Sequence, residues 1–355
     1  MKILILKPSS LGDVIHALPV LRLLKCHWPK SDIYWWLDDG LIPLLEKDPD
    51  LAGIFPFHRR RWFVPIRWPE ILSSVVAMRN QQFDLAIDLQ GLARSGMFAW
   101  LANAKLTVGL DNIREGSREG ARGFYDLTPP RAAANSHAVD RYLAVLPLLN
   151  VPVHWNFDWL PPRSAAVQSM NDKWAPGRQG ARWIVLIPGA RWDNKRWPVG
   201  NFVDLAKRLQ EIPALRLVVL GSKSERGLGE KISATVPDFC LNLAGETSLD
   251  EMIEWIRQSR LVITNDTGPM HVAAAVGRPI ISIFGPTEPS NTGPYGQLQN
   301  VMQTRRLPCV PCLKGSCAYW DKLACLHAIT PAAVFEKARE ALIPSQTSTS
   351  TLSLR

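Results

Sequence analysis

Apolar runs of four to six residues alternate with amphipathic stretches along most of this chain. Lys2–Leu6 is nearly all apolar, and residues 33–37 and 85–89 repeat the pattern. Between the first two runs, residues 14–25 place Val14, Leu18, Leu21 and Leu24 on one face of a helix. Short runs without polar alternation are the signature of parallel strands buried on both faces, joined by helical crossovers. The rhythm resumes at 183–187 (strand), 201–209 (helix) and 215–220 (strand), then at 249–257 (helix), 261–264 (strand) and 280–284 (strand). Pro331–Leu342 reads as a last helix.

From about 152 to 181 the rhythm breaks at Pro152, Pro161, Pro162, Pro176, Gly177 and Gly180. Such punctuation marks a connection between domains. At 355 residues the chain is also too long for one ordinary core. The expectation is an α/β protein of two doubly wound, Rossmann-like domains facing one cleft, at 1–165 and 166–330. The helix at 331–343 would pack back across them, and the Ser- and Thr-rich tail at 344–355 would be disordered.

Composition narrows the class. No apolar run approaches the ~20 residues of a membrane span. The opening Lys2–Leu6 run is too short for a signal-peptide core, which points to a cytoplasmic protein. The net charge of +9 suits an anionic partner, although no nucleic-acid-binding motif is visible. Most basic residues are interleaved with acids; the exception is His58-Arg59-Arg60-Arg61-Trp62, followed by Arg67. That run reads either as a solvated face or, with Trp35, Trp36, Trp62 and Trp68 nearby, as a holder of amphipathic anions at a membrane surface. Four of the six cysteines crowd together as Cys309-x2-Cys312-x4-Cys317-x7-Cys325. A structural metal is one reading; buried or free thiols are the commoner one, because the spacing is not that of a standard zinc ribbon or finger.

Five loops that follow strands carry candidate chemistry. Asn265-Asp266-Thr267-Gly268-Pro269-Met270-His271 runs from a strand into a helix that Gly277 can end. Its capping residues, its glycine and the positive end of the helix dipole make an anion site. An ordinary strand-to-helix turn explains the caps alone, but the cluster as a whole suggests a phosphate-bearing ligand. Residues 187–198 bring Arg191, Lys195 and Arg196 to the same end of the same sheet, where a solvated basic loop is the bland alternative. Gly221-Ser222-Lys223-Ser224-Glu225 offers a carboxylate for ribose hydroxyls, although a surface Glu at a helix start is more common. Near the N-terminus, Lys7-Pro8-Ser9-Ser10-Leu11-Gly12-Asp13 ends a strand, and Asp13 is there as a helix cap or as a base for a hydroxyl nucleophile. Asp88-Leu89-Gln90-Gly91-Leu92, Ser117-Arg118-Glu119 and the stretch from His137 to Arg141 add a polar wall, with surface ion pairs the competing account.

On these residues the chain resembles the ADP-heptose:lipopolysaccharide heptosyltransferases, glycosyltransferase family nine, of GT-B fold. The resemblance runs from Lys2 to about Leu342. Its most specific parts are 9–14, Pro188-Gly189-Ala190 with Lys195-Arg196-Trp197-Pro198, Asp266-Thr267-Gly268 with His271, and Phe284-Gly285-Pro286-Thr287. The segments at 88–92, 117–119 and 137–139 look most like enzymes that add the first heptose to the Kdo region. Where those enzymes usually carry a Thr-Thr pair, this chain has Ala190-Arg191, closer to the second-heptose branch.

The resemblance implies an inverting transfer without a covalent intermediate or a required metal. Asp13 would be the base. Lys195 would bind the donor phosphates together with the Ala190-Arg191 loop, Glu225 the adenosine ribose, and Thr247 the nucleobase pocket. Asp266, Thr267, Gly268 and His271 would take the pyrophosphate and heptose. Ser10, Gly12, Arg60, Gln90 and Arg118 would face a lipid-linked anionic acceptor at the cytoplasmic side of the inner membrane. Two other readings stay open: a sugar-nucleotide epimerase or hydrolase of the same fold (or a transferase of another sugar), and a non-catalytic module built on the cysteines and arginines.

Overall fold

In the computed structural model every named strand pairs in parallel, in two sheets. The structure describes residues 1–58, 61, 62, 64–110, 120–131, 133, 135–174 and 180–343. Pro176, Gly177 and the tail at 344–355 lie outside them. The chain divides into two compact units, Met1–Arg163 with Ser290–Tyr295, and Ser164–Pro289 with the chain from Gly296 onward.

The first unit holds β1 (Lys2–Leu6), β2 (Asp32–Asp38), β3 (Leu51–Phe57), β4 (Leu85–Asp88) and β5 (Leu106–Gly109), in the order β3-β2-β1-β4-β5. Its helices are α1 (Leu11–His27), α2 (Ile42–Leu45), α3 (Trp68–Asn80), α4 (Ala93–Leu101) and α5 (Ala138–Leu143). Ile3, Leu4, Ile5 and Leu6 have no exposed surface, as an unbroken apolar run in a central parallel strand requires. Winding leaves β1 in opposite directions toward β2 and toward β4, so the loops after β1 and β4 flank the crevice where open α/β sheets hold ligands.

β3 breaks the simple pattern because Pro56 lies inside it, paired opposite Leu37. Proline is tolerated because β3 is an edge strand with no ladder on its outer side. Of the four tryptophans near the basic run, Trp35, Trp36 and Trp62 are buried; Trp36 stacks on Phe98 at 4.7 Å and Trp62 on the same ring at 5.6 Å. Only Trp68 is left to meet a partner. The aromatic part of the expected patch is therefore mostly core, while Arg61 and Arg67 stay exposed and Arg59 and Arg60 lie outside the described residues.

Charge also fixes the first unit. Arg22, 4% exposed, binds Asp48 with both terminal guanidinium nitrogens, reaches Asp50 Oδ2 at 2.6 Å, and donates to the Trp159 carbonyl. The segment that breaks the strand–helix rhythm thus belongs to this unit up to Arg163. The return of Ser290–Tyr295 was not foreseen from sequence. Tyr295 packs on Trp155 at 5.3 Å and donates its hydroxyl to Asp140 Oδ1 at 2.7 Å.

The same segment is gripped by His137, the 5%-exposed N-cap of α5. Its Nδ1 accepts from Val139 N at 3.2 Å and its Nε2 meets the Gly293 carbonyl at 3.0 Å, so the neutral ring with its proton on Nε2 satisfies both. Burial pushes its pKa below the ordinary histidine value, although the Gly293 carbonyl and Asp140 pull the other way. A depressed folded pKa means that the unfolded chain takes up the proton first. Stability is therefore full above about pH 6.5 and falls as pH drops from there to the folded value. Thermal melts should show the midpoint falling below about pH 6.5, with a flatter profile for His137→Gln. Parallel profiles for the two proteins would rule this assignment out.

The second unit holds β6 (Arg182–Ile187), β7 (Leu215–Val219), β8 (Cys240–Asn242), β9 (Leu261–Asn265), β10 (Ile280–Ile283) and β11 (Val301–Met302), ordered β11-β10-β9-β6-β7-β8. Its helices are α6 (Ser164–Trp174), α7 (Val199–Leu209), α8 (Arg226–Ser233), α9 (Leu249–Gln258), α10 (Gly268–Ala275), α12 (Ala324–His327) and α13 (Pro331–Leu342); α11 (Pro289–Thr292) belongs to the first unit from Ser290 on. Here the winding reverses between β6 and β9. Val334, Ala338 and Leu342 of α13 sit in the same core as Trp197, Phe202 and Leu205, so α13 packs on α7 of this unit.

Candidate functional site

In the first unit the loop after β1 turns directly into α1, with Ser10 as N-cap. Asp13, in the first turn, accepts from Ser10 N at 2.9 Å and Ser10 Oγ at 2.7 Å through one carboxylate oxygen. Tyr142 of α5 reaches the other oxygen at 3.4 Å. Beneath it, the buried Lys7 ammonium stands 4.6 Å from the Tyr142 ring centroid. Asp13 is thus a capping residue whose carboxylate is aimed by groups from two elements and remains only half-buried. Tyr142 is 129 positions away in sequence, and no local pattern could have paired them.

The loop after β4 is set by Asp88, which is fully buried. Its Oδ1 accepts from Gln90 N at 2.8 Å and Gly91 N at 3.2 Å, and its Oδ2 from Tyr125 OH at 2.7 Å. Burial pushes the Asp88 carboxyl up, opposed by its hydrogen bonds to Ser95, Tyr125 and the turn. Gly91 needs its freedom, since its φ is +70°. Asp88 therefore builds the turn and does not face a ligand. Gln90 rides on that turn with a buried Oε1 that has no hydrogen-bond partner among the described residues. Arg60 and Arg118 lie outside the described residues.

In the second unit, four loops at the carboxyl end of the sheet knit together. Asn265 ends β9 and donates through Nδ2 to the Pro188 carbonyl at 2.8 Å, while its Oδ1 accepts from Trp197 N at 3.0 Å. Lys195 Nζ contacts Asp266 Oδ2 at 2.6 Å, and Thr287 Oγ1 donates to the same oxygen at 2.5 Å. Lys195 also stands 4.9 Å over the Trp192 ring. The loops after β6, β9 and β10 thus converge on one carboxylate that is 6% exposed. Thr267 holds the N-cap position of α10 without a side-chain capping hydrogen bond among the described residues, Gly268 and Pro269 begin its first turn, and His271 is buried one turn in. Thr287 and Asn265 join the expected set; Thr287 lay within a motif noted in the sequence but carried no role there.

Glu225, after β7, accepts from Ser222 N at 2.7 Å and Ser222 Oγ at 2.8 Å. Its carboxylate lies so close to the backbone of Gly189 that a Cβ there would fall 1.9 Å from Oε1. This contact joins Glu225 to the 188–198 loop. We expect Gly189→Ala to displace the Glu225 carboxylate and lower stability by about 1–3 kcal/mol through overpacking. Thermal melts check it, and an unchanged melting temperature would refute this packing of Glu225 against Gly189. Thr247 follows Gly245, whose N–H bonds the Gly221 carbonyl, so it borders the same loop. Ala190 is 1% exposed with its carbonyl taken by Arg196 Nε, which leaves its side chain no surface for a ligand. Arg191 is exposed. A separate cavity of about 670 Å³, around Gly180, Ala214 and Pro237, lies at the other end of the strands and contains none of these residues.

The four clustered cysteines line a cavity of about 210 Å³ together with Asn194 and Pro286. Burial, chiefly, holds the Cys325 thiol above its ordinary pKa, which favours thiol over thiolate. Among the described residues no group of three or more His, Cys, Asp or Glu is arranged to hold a metal ion. What the segment visibly does is brace the loops after β6 and β10: Asn194 Nδ2 donates to the Lys314 carbonyl at 2.9 Å, and Leu313 N to the Pro286 carbonyl at 2.7 Å.

A converging set of backbone dipoles, a lysine and hydroxyl-binding groups at the carboxyl ends of parallel strands is chemistry for a nucleoside-diphosphate conjugate. Comparison with known proteins agrees. Residues 71–322 match the model of glycosyltransferase family 9 (heptosyltransferase). The chain is 31% identical to lipopolysaccharide heptosyltransferase 1 of Pseudomonas aeruginosa, over 90% of this chain and 88% of the relative. It is 28% identical to lipooligosaccharide heptosyltransferase 2 of Haemophilus influenzae, over 96% of this chain and 99% of the relative. Among solved structures, the ADP-heptose lipopolysaccharide heptosyltransferase II of Escherichia coli aligns with a TM-score of 0.76 at 25% identity, covering 96% of this chain and 98% of that one.

Proposed function

The chain belongs to glycosyltransferase family 9, and from that premise we propose that it transfers a heptose from an ADP-linked donor to the inner core of lipopolysaccharide, with inversion at the anomeric carbon. It is a glycosyltransferase of GT-B fold. The observation that carries the reading is the meeting of Lys195, Asp266 and Thr287, from three separate loops, at the amino end of α10.

In the proposed reaction the donor diphosphate lies against the first turn of α10, and Lys195 shares its charge between Asp266 and the phosphates. Glu225 takes the ribose hydroxyls, and Thr247 borders the base. Asp266 and His271 face the sugar. Ser10, Gly12 and Gln90, with Arg60 and Arg118, hold the acceptor. Asp13 removes the acceptor hydroxyl proton as that oxygen bonds to the anomeric carbon. The bond from that carbon to the phosphate oxygen breaks, and ADP leaves with its new charge stabilised by Lys195 and the α10 dipole. No group on the protein is covalently modified.

For the acceptor we propose the Kdo–lipid A end of the core, on the motifs at 88–92 and 137–139. Among the described residues no helix is long and apolar enough to cross a membrane, and we propose surface contact with the inner membrane's cytoplasmic face. Incubation of the purified protein with ADP-heptose and Kdo–lipid A should yield a product heavier by one heptose. Acceptor-independent release of ADP would point instead to a hydrolase. Transfer only to an acceptor that already bears a heptose would move the assignment one step along the core.

A further inference from the structure

Helix α3 carries an apolar stripe that its own unit leaves uncovered. Trp68, Leu72 and Val76 recur every fourth residue and are 62%, 66% and 46% exposed; Ile66, just ahead of them, is 81% exposed. The helix already buries Val75 and Met78 in the core with Trp36 and Phe98, so the stripe is surplus to its packing. On the adjoining α4, Met97 and Trp100 extend the exposed apolar surface. Single exposed apolar residues are ordinary, but a run along one helix and its neighbour marks a docking surface.

Cations border the stripe. Arg61 and Arg67 share one carboxylate, Glu70, at 3.9 Å and 2.6 Å, which leaves positive charge in excess, and Arg79 is exposed at the end of α3. A cavity of about 540 Å³ between β3 and α3, lined by His58, Arg61, Ser73 and Ser74, adds hydrogen-bond donors beside them. We propose that α3, with the exposed end of α4, is the face by which the enzyme lies on an anionic phospholipid bilayer. The stripe enters the boundary between headgroups and acyl chains, Trp68 and Trp100 sit at headgroup level, and the arginines meet lipid phosphates. Charge complementarity selects this occupant, since an apolar groove on a protein needs no cationic border. The inference rests on the proposed lipid-linked acceptor and names the face by which the enzyme approaches it.

The test uses the full chain without donor or acceptor, in co-sedimentation with vesicles of phosphatidylethanolamine and phosphatidylglycerol, and separately with phosphatidylcholine alone. Binding should favour the anionic vesicles and weaken with salt. A variant combining Trp68→Ser, Leu72→Ser and Val76→Ser should bind them about tenfold less or weaker still, because it removes most of the inserted apolar area. Its melting temperature should hold, since all three side chains are exposed. Equal vesicle binding by the variant, or no preference for anionic lipid, overturns the proposal. So does a wild-type dimer, seen by sedimentation, that the variant dissociates, because a second copy would then cover the stripe. Heptose transfer to a deacylated, water-soluble acceptor is followed in parallel and should not change in the variant. Its absence in the wild type would sink the transferase reading while leaving the lipid result standing.

Discussion

Asp13→Asn should lower kcat by about three orders of magnitude while leaving ADP-heptose affinity within about twofold. Loss of a positioned general base typically costs 10²–10⁴ in rate, about 3–5 kcal/mol of barrier. The substitution also separates the two jobs of this carboxylate. An asparagine carbonyl can still accept from Ser10 N and Oγ, so the α1 cap survives and the fold should lose no more than about 1 kcal/mol. If Asp13 were only a cap, turnover would survive with it. Single-turnover transfer, donor calorimetry and thermal melts together decide the matter, and a variant that keeps a tenth of wild-type turnover would remove Asp13 from the reaction.

Lys195→Ala carries the second large effect. A charge-assisted contact to a phosphate is worth about 1.5–3 kcal/mol, so ADP affinity should fall by about 10- to 100-fold. The loss in kcat should be larger, about 10²–10³, because charge on the diphosphate grows as the glycosidic bond to it breaks. The variant also leaves Asp266, only 6% exposed, without its cation. Breaking a fully buried pair costs about 3–5 kcal/mol; with Lys195 18% exposed and Thr287 still donating, we expect about 2 kcal/mol. Calorimetry with ADP, run well below the variant's melting temperature, separates lost binding from lost fold. Unaltered ADP affinity would move the phosphates away from Lys195.

Most of what positions this site could be read from the sequence because each loop is local: strand, turn, helix cap. Lys195, Asp266 and Glu225 each follow a buried strand, and parallel pairing necessarily brings such loops to one end of a sheet. What could not be read is which loops touch. Thr287 binding Asp266 and Tyr142 reaching Asp13 are tertiary contacts without periodicity. The edge strands were missed for a related reason. β5, β8 and β11 have four, three and two residues, and β3 contains a proline, so none presents a long buried run. Of the four tryptophans read beside the Arg-rich segment only Trp68 is exposed, because tryptophan is equally at home in a core, and Trp35, Trp36 and Trp62 took that option.

The return of Ser290–Tyr295 to the first unit has a consequence for how the chain can be divided. A fragment ending at Arg163 would strand Trp155 and Trp159 without the ring of Tyr295, and would deprive His137 Nε2 of the Gly293 carbonyl. The two sheets look like interchangeable modules, yet a chimera joined at residue 163 would inherit a first half that lacks six of its own residues. To exchange the first unit between relatives, a crossover would have to move two separate stretches of gene at once.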